Sequence, residues 1–243
     1  MSEAAGEEAP AGFFATLAGV YAAPGPTFAA IARRPRFWAP LLAFVAAGLS
    51  FNAVWLHNVD VREFARAQIE ESPLANRLSP EQRATSIEEQ ARLFPLRSWL
   101  GPLVGMPLTL AAVAAIYVSV FRFFYGADVT LKQSLAVVFW TSLAGALVTL
   151  PLGLLVMHLR EDWNVDPATA LQANLTLLLD KASVPRAAYS VAESLDLFSA
   201  WLLTLLSIGY GAASGRRAGQ AAIGVVAVWG TYVLGKAALA AVF

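Results

Sequence analysis

Residues 37–57 read FWAPLLAFVAAGLSFNAVWLH, a run of 21 residues without Asp, Glu, Lys or Arg. About 20 apolar residues in a helix cross a hydrocarbon core of about 30 Å. Trp38 and Trp55 stand near the two ends of the run, and tryptophan favours the membrane interfaces. Because lipid offers no partners for backbone polar groups, a run of this length crosses as a helix rather than as a strand. The stretch therefore predicts a transmembrane helix.

The composition of the whole chain agrees with a membrane protein. Of its 243 residues, 58% are hydrophobic and only 14% are charged, against about 25% charged in a typical soluble domain. The formal net charge is zero, which implies no bulk attraction to nucleic acid or to acidic lipid. Cysteine is absent, and this excludes disulfides, thiol catalysis and thiolate metal sites. We expect the lipid bilayer as the main surroundings and no nucleic-acid partner.

Four further runs have the length and hydropathy of membrane spans. They cover about residues 99–124, 131–157, 195–213 and 219–243. With residues 37–57 they predict an all-α polytopic membrane protein, a bundle of five transmembrane helices. The acidic and small residues 1–10 predict a disordered N-terminal tail, so that residues 11–243 form the membrane domain.

Residues 11–32 are also free of charge, but Pro24-Gly25-Pro26 interrupts them. Proline and glycine break a continuous helix. We interpret the segment as two short helices lying on the membrane surface, with Pro26 opening the second. The alternative is a genuine sixth span.

Basic residues predict the orientation, since Lys and Arg concentrate in cytoplasmic loops. Three connections that must lie on the same side of the membrane carry them: the approach to the first span, the turn between the second and third, and the turn between the fourth and fifth. They are Arg33, Arg34, Arg36, Arg122, Lys132, Arg216 and Arg217. The pattern predicts a cytoplasmic N-terminus and a C-terminus outside.

The two longer connections then fall on the outer side. The sequence SPEQ, residues 79–82, is a capping box with proline at the first helical position, and it predicts a helix start. A second outer helix is expected through VREFARAQIEES, residues 61–72. Asp166 and Pro167 predict the start of a third.

Asp196 and Lys236 are ionisable groups at the edges of the last two spans. Asp196 lies 18 residues before the inner turn at Ser214, about 27 Å at the helical rise of 1.5 Å. Lys236 lies 19 residues after Arg217, about 28 Å by the same rise. This equal depth supports the hypothesis of a structural ion pair, which lowers the cost of each charge in the membrane. The alternative is that Asp196 caps its helix while Lys236 extends towards the headgroups.

Small residues predict close helix packing in lipid. Gly101 and Gly105 form a GxxxG pattern in the second span, and the fifth span carries Gly224, Gly230 and Gly235. Packing within one chain and dimerisation are both compatible with these glycines. Asn52, a polar residue in the first span, predicts a hydrogen bond between helices.

No motif for nucleotide binding, hydrolysis or zinc binding is present, so we expect no enzyme activity, cofactor or metal. The first functional hypothesis is a non-enzymatic protein that organises membrane or partner proteins through helix contacts, with membrane proteins or a second copy as partners. The alternative is a transporter or channel component with Asp196, Lys236 and Asn52 along its path. A membrane enzyme using His57, His158 and neighbouring carboxylates is a third hypothesis.

Three stretches resemble the Yip1-domain family of membrane proteins in its bacterial branch. They are VYAAPGPTFAAIARRPRFWAPL (residues 20–41), GADVTLKQSLAVVFW (126–140) and SLDLFSAWLLTLLSIGYGAASG (194–215). The resemblance implies a bundle of five membrane helices with a cytoplasmic N-terminus, in a bacterial cytoplasmic membrane. Eukaryotic relatives are linked to vesicle trafficking and bind small GTPases of the Rab type. The short N-terminal region here leads us to expect no such binding.

Overall fold

The computed structural model describes residues 12–72, 77–171, 173–179 and 183–242. The predicted tail, residues 1–10, lies outside them. The helices are α1 (Phe13–Ala22), α2 (Pro24–Arg33), α3 (Trp38–Asn58), α4 (Val61–Glu71), α5 (Pro80–Leu100), α6 (Met106–Tyr125), α7 (Leu131–Leu159), α8 (Pro167–Ala170), α9 (Arg186–Ser194), α10 (Leu197–Ser214) and α11 (Ala218–Val242).

Five helical segments are long and apolar enough to cross a membrane: α3, the continuous segment Pro80–Tyr125, α7, α10 and α11. The described ranges contain no β-strand, and their only strand-like pairing is an isolated bridge between Asn174 and Asp196. The predicted all-α polytopic bundle of five spans is therefore confirmed.

Helix α7 lies at the centre of the bundle. In its most apolar 18-residue window 56% of the residues are buried, against 28% or less in each of the other spans. Helices α3, α6, α10 and the N-terminal helices α1 and α2 all pack against it. The side chains of Val137, Leu143 and Ser134 on α7 are fully buried. A central helix must be apolar on every face, which explains the nearly uninterrupted hydrophobic sequence of residues 134–157.

The second span is continuous with the helix that precedes it, α5. We predicted a helix starting at Ser79 and a span from about residue 99; the structure joins them through a π-helical turn at Gly101–Gly105. The capping box is confirmed, with Gln82 N donating to Ser79 Oγ at 3.2 Å and Ser79 N donating to Gln82 Oε1 at 2.9 Å. The 46 residues of this segment extend about 69 Å at 1.5 Å per residue. Since this exceeds twice the hydrocarbon thickness, α5 extends beyond the bilayer.

The N-terminal helices form a hairpin that packs into the bundle. Its second helix begins at Pro24 instead of the predicted Pro26. Near the tip, Tyr21 Oη donates to the Ala144 carbonyl at 2.8 Å and its ring stacks on Trp201. Ala144 is 13 residues from the start of α7, about 20 Å along the helix. We expected two helices on the membrane surface; instead the hairpin packs along the bundle, with α1 and α2 against α7 and with α2 also against α10.

At the opposite end of the bundle, α4 and α5 cover the C-terminal end of α3. Trp55 contacts Phe64 and Phe94 edge to face, and its Nε1 donates to the Trp163 carbonyl at 3.0 Å. The predicted helix after the first span is confirmed as α4. Asp166 and Pro167 start α8 as predicted, but this helix is a single turn.

Candidate functional site: the basic end of the bundle

The seven basic residues singled out from the sequence lie at one end of the bundle, which we call the basic end. They lie in or beside the α2–α3 connection, the α6–α7 turn and the α10–α11 turn: Arg33, Arg34, Arg36, Arg122, Lys132, Arg216 and Arg217. All seven are exposed. Two hydrogen bonds hold the three connections together: Gln133 Nε2 donates to the Ala32 carbonyl at 3.0 Å, and Arg216 Nη2 donates to the Tyr125 carbonyl at 2.7 Å.

Two of these arginines hold the turns in shape. Arg122 Nε donates to the Val129 carbonyl at 2.9 Å, across a turn in which Gly126 adopts a φ of +60°. The Arg216 guanidinium caps the Tyr125 carbonyl and lies 5.9 Å from the centre of the Tyr125 ring, within cation–π range. Arg216 thus satisfies a carbonyl that the end of α6 leaves free, and Arg122 satisfies one within the turn.

Four other basic residues of this end, Arg33, Arg36, Lys132 and Arg217, form no ion pair with another described residue. In the described connections of this end, Asp128 is the single acidic residue. The zero net charge of the chain therefore conceals an excess of positive charge at this end, whereas acidic and basic residues are mixed at the opposite end, on and around α4, α5 and α9.

Exposed aromatic side chains surround the basic end. Trp38, at the start of α3, is 64% exposed and packs against Phe37 with ring centres 4.7 Å apart. Phe123 and Phe124, at the end of α6, are 83% and 73% exposed. Rings at the ends of apolar helices match the depth of lipid headgroups.

Above the basic end, a buried polar contact joins α6, α7 and α10. Ser134 Oγ donates to the Ala114 carbonyl at 2.7 Å and lies 2.5 Å from Tyr210 Oη. The Tyr210 ring stacks on Phe121 with an interplanar angle of 8°. The Ser134 contact satisfies the tyrosine hydroxyl, which would otherwise be costly to bury. Sequence reasoning missed this site, because neither residue belongs to a recognisable motif.

The predicted ion pair between Asp196 and Lys236 is not formed. The Lys236 ammonium pairs with Glu193 Oε2 at 2.5 Å. Asp196 is the N-cap of α10: its Oδ1 accepts from Ser199 N at 2.9 Å, and its other oxygen bonds the Ser199 hydroxyl. The Asp196 carboxylate is engaged in the N-cap, and the carboxylate that reaches Lys236 comes from Glu193, three residues earlier. The capping alternative is the one observed for Asp196.

The glycines predicted to pack helices divide into two groups. A Cβ at Gly224 would lie 3.1 Å from the Tyr125 ring, so this glycine permits α11 to approach α6. No atom of a neighbouring helix lies within 4 Å of a Cβ built at Gly101, Gly105, Gly230 or Gly235. Gly101 and Gly105 instead bound the π-helical turn.

Three glycines that we did not single out bring helices together. A Cβ at Gly209 would lie 2.5 Å from Val137 and 3.1 Å from Phe28. A Cβ at Gly48 would lie 2.9 Å from Pro102, and one at Gly145 would lie 2.9 Å from Leu202.

Asn52, for which we predicted a hydrogen bond between helices, is buried. Its amide nitrogen has no hydrogen-bond partner in the described part of the chain.

Comparison with known proteins gives one match. A family model described as Yip1 domain matches residues 18–239, a range that includes all of the basic end and nearly all of the five apolar segments. No curated protein and no solved structure matches the chain.

Proposed function

Because the chain belongs to the Yip1 domain family, we propose that it is a non-enzymatic multi-pass membrane protein that organises other membrane proteins, or further copies of itself, through helix–helix contacts. We place it in the bacterial cytoplasmic membrane with the basic end in the cytoplasm. That orientation follows from the concentration of Lys and Arg on cytoplasmic sides.

The observation that carries this proposal is the open face of α11. Ile223, Gly230 and Leu234 are spaced by seven and four residues and so share one face of the helix. Ile223 and Leu234 are 70% and 68% exposed, and nothing lies within 4 Å of a Cβ at Gly230. Small residues between larger apolar ones let a second helix approach closely in lipid. The opposite face of the same helix is already used, since Val225 and Gly224 pack inside the bundle.

Single cysteines provide the test, since the chain has none of its own. We expect Ile223→Cys and Leu234→Cys to cross-link in native membranes to a protein of discrete mass, either a second copy or a partner. Leu42→Cys and Val54→Cys are matched controls, because both are exposed on α3 at similar positions along a span. These controls should give no discrete product.

Equal cross-linking at all four positions, or none at any, contradicts the use of α11 as a contact face. Solute flux through proteoliposomes that depends on this protein would favour the transporter hypothesis instead. Cross-linking and solute flux are measured independently, so the contact-face hypothesis and the transporter hypothesis can each be contradicted without the other.

The proposed orientation has its own test. A thiol at Arg160→Cys, beyond the outer end of α7, should react with an impermeant maleimide in intact cells. A thiol at Arg217→Cys should react only after permeabilisation. The reverse pattern contradicts the orientation.

A further inference from the structure

We propose that the basic end carries a binding site for the anionic phosphodiester headgroup of a phospholipid, formed by Arg33, Arg36 and Lys132. The proposal goes beyond the proposed function, because it concerns a lipid ligand at the end of the bundle and does not depend on the α11 face.

One side chain fixes the geometry of this site. Gln133 Oε1 accepts from Thr130 N at 2.9 Å in a capping box that starts α7, while its Nε2 donates to the Ala32 carbonyl at 3.0 Å. The α2–α3 connection is thereby held against the start of α7. Lys132 and Arg33 each directly adjoin a member of this contact.

The α2–α3 connection is also anchored through α2, the helix that leads into it. Phe28 is fully buried and Ile31 is 5% exposed, both on α2. The approach of α2 to α10 is close at Gly209, where a Cβ would meet Phe28 at 3.1 Å. The basic residues that follow α2 therefore extend from a fixed base, which reduces the conformational entropy lost on binding.

The described connections around the site contain a single acidic residue, Asp128, four residues before Lys132. Arg33, Arg36 and Lys132 are exposed and form no ion pair with another described residue. Arg122 and Arg216 donate to backbone carbonyls, and these two hold the turns. The site thus offers two guanidinium forks and one ammonium, the groups that bind phosphate oxygens best.

The aromatic surroundings favour a lipid over a soluble phosphate. Trp38 is 64% exposed two residues after Arg36, and Phe37 packs against it. A soluble anion would gain no contact with these rings, whereas a phospholipid places its glycerol and upper acyl chains beside them. Clusters of basic residues next to a membrane helix bind anionic lipid headgroups by the same combination of charge and depth.

The test measures binding of phosphatidylglycerol to the full chain in neutral detergent micelles, by native mass spectrometry, with phosphatidylcholine as the zwitterionic reference of zero net charge. The test variant is Arg33→Gln, Arg36→Gln and Lys132→Gln combined. The matched control is Arg66→Gln, Arg92→Gln and Arg160→Gln combined, which removes three exposed charges from the opposite end.

We expect the wild-type chain and the control to prefer phosphatidylglycerol, and the test variant to bind it about a hundredfold more weakly, since each of the three basic residues contributes about fivefold. Phosphatidylcholine binding should stay unchanged in all three. Inorganic phosphate at millimolar concentration should displace little of the lipid.

Three outcomes overturn the proposal: equal loss of binding in the two triple variants, no preference for the anionic lipid in the wild-type chain, or full displacement by inorganic phosphate. The last would identify a site for a free anion. If the test variant does not fold, Lys132→Gln alone should weaken binding about fivefold, and an unchanged affinity there contradicts the proposal equally.

Discussion

The Lys236 ammonium lies 2.5 Å from the Glu193 carboxylate, and this ion pair joins α11 to the short outer helix α9. Both side chains are about one-third exposed, at 37% and 33%. The contact therefore sits between water and the apolar spans, where a charge on α11 needs a partner but does not need full burial. The amphipathic sequence of α9 explains both of its contacts with α11. Its apolar face packs along α11, and its polar face supplies the Glu193 carboxylate.

Reversing the two charges together should preserve this contact. Glu193→Lys or Lys236→Glu alone should lower stability in detergent by up to about 1 kcal/mol, the upper range for a partly exposed pair. The double reversal should restore most of that loss, as measured by thermal unfolding of the purified protein. Rescue by Asp196→Lys with Lys236→Asp would instead support the pair that we predicted from depth.

Asp196 should act through its hydrogen bonds to Ser199. Asp196→Ala should destabilise the protein by about 0.5–2 kcal/mol, because an N-cap oxygen satisfies a free backbone N–H. Asp196→Asn keeps an oxygen at the same place and should lose only a fraction of this stabilisation. Denaturation in mixed micelles can separate the two variants. Equal losses in both would mean that the negative charge matters more than the cap.

Gly209 should tolerate no side chain. Gly209→Ala places a Cβ 2.5 Å from Val137, and we expect a loss of about 1–3 kcal/mol from overpacking. Gly230→Ala is the matched control in a helix whose glycine faces open space; alanine there should be neutral or stabilise by up to about 1 kcal/mol. A destabilised Gly230→Ala chain would point to a contact partner on α11 that persists in detergent.

Ser134 and Tyr210 should be energetically coupled. Tyr210→Phe and Ser134→Ala each remove one partner of a buried contact, at a cost of about 1–3 kcal/mol where the remaining group is left unsatisfied. The double variant should cost less than the sum, with a coupling of about 0.5–2 kcal/mol in a double-mutant cycle. Strictly additive losses would show that the 2.5 Å contact contributes little.

Hydropathy and local capping chemistry predicted most of the fold. The five spans, the start of α5 at Ser79 and the start of α8 at Asp166 depend on runs or spacings within one segment, and each is found. Gly101 and Gly105 show the limit, since a GxxxG spacing can equally lie in a π-helical turn that faces no other helix.

The incorrect predictions concern contacts between segments distant in sequence. Lys236 pairs with Glu193, which lies outside the span, in a helix that the depth calculation did not include. The packing of α2 against α10 depends on Phe28 meeting Gly209 across 181 positions. Proline and glycine at residues 24–26 correctly predicted a break, but no local pattern specifies what the two halves pack against.

The position of Phe28 also bears on how the protein is made. α2 is synthesised some 170 residues before α10, which forms one wall of its binding site. The hairpin can therefore complete its packing only after the fourth span has entered the membrane. Until then lipid, the insertion machinery or α7 alone must cover its apolar residues. The bundle therefore closes around the hairpin late in biogenesis.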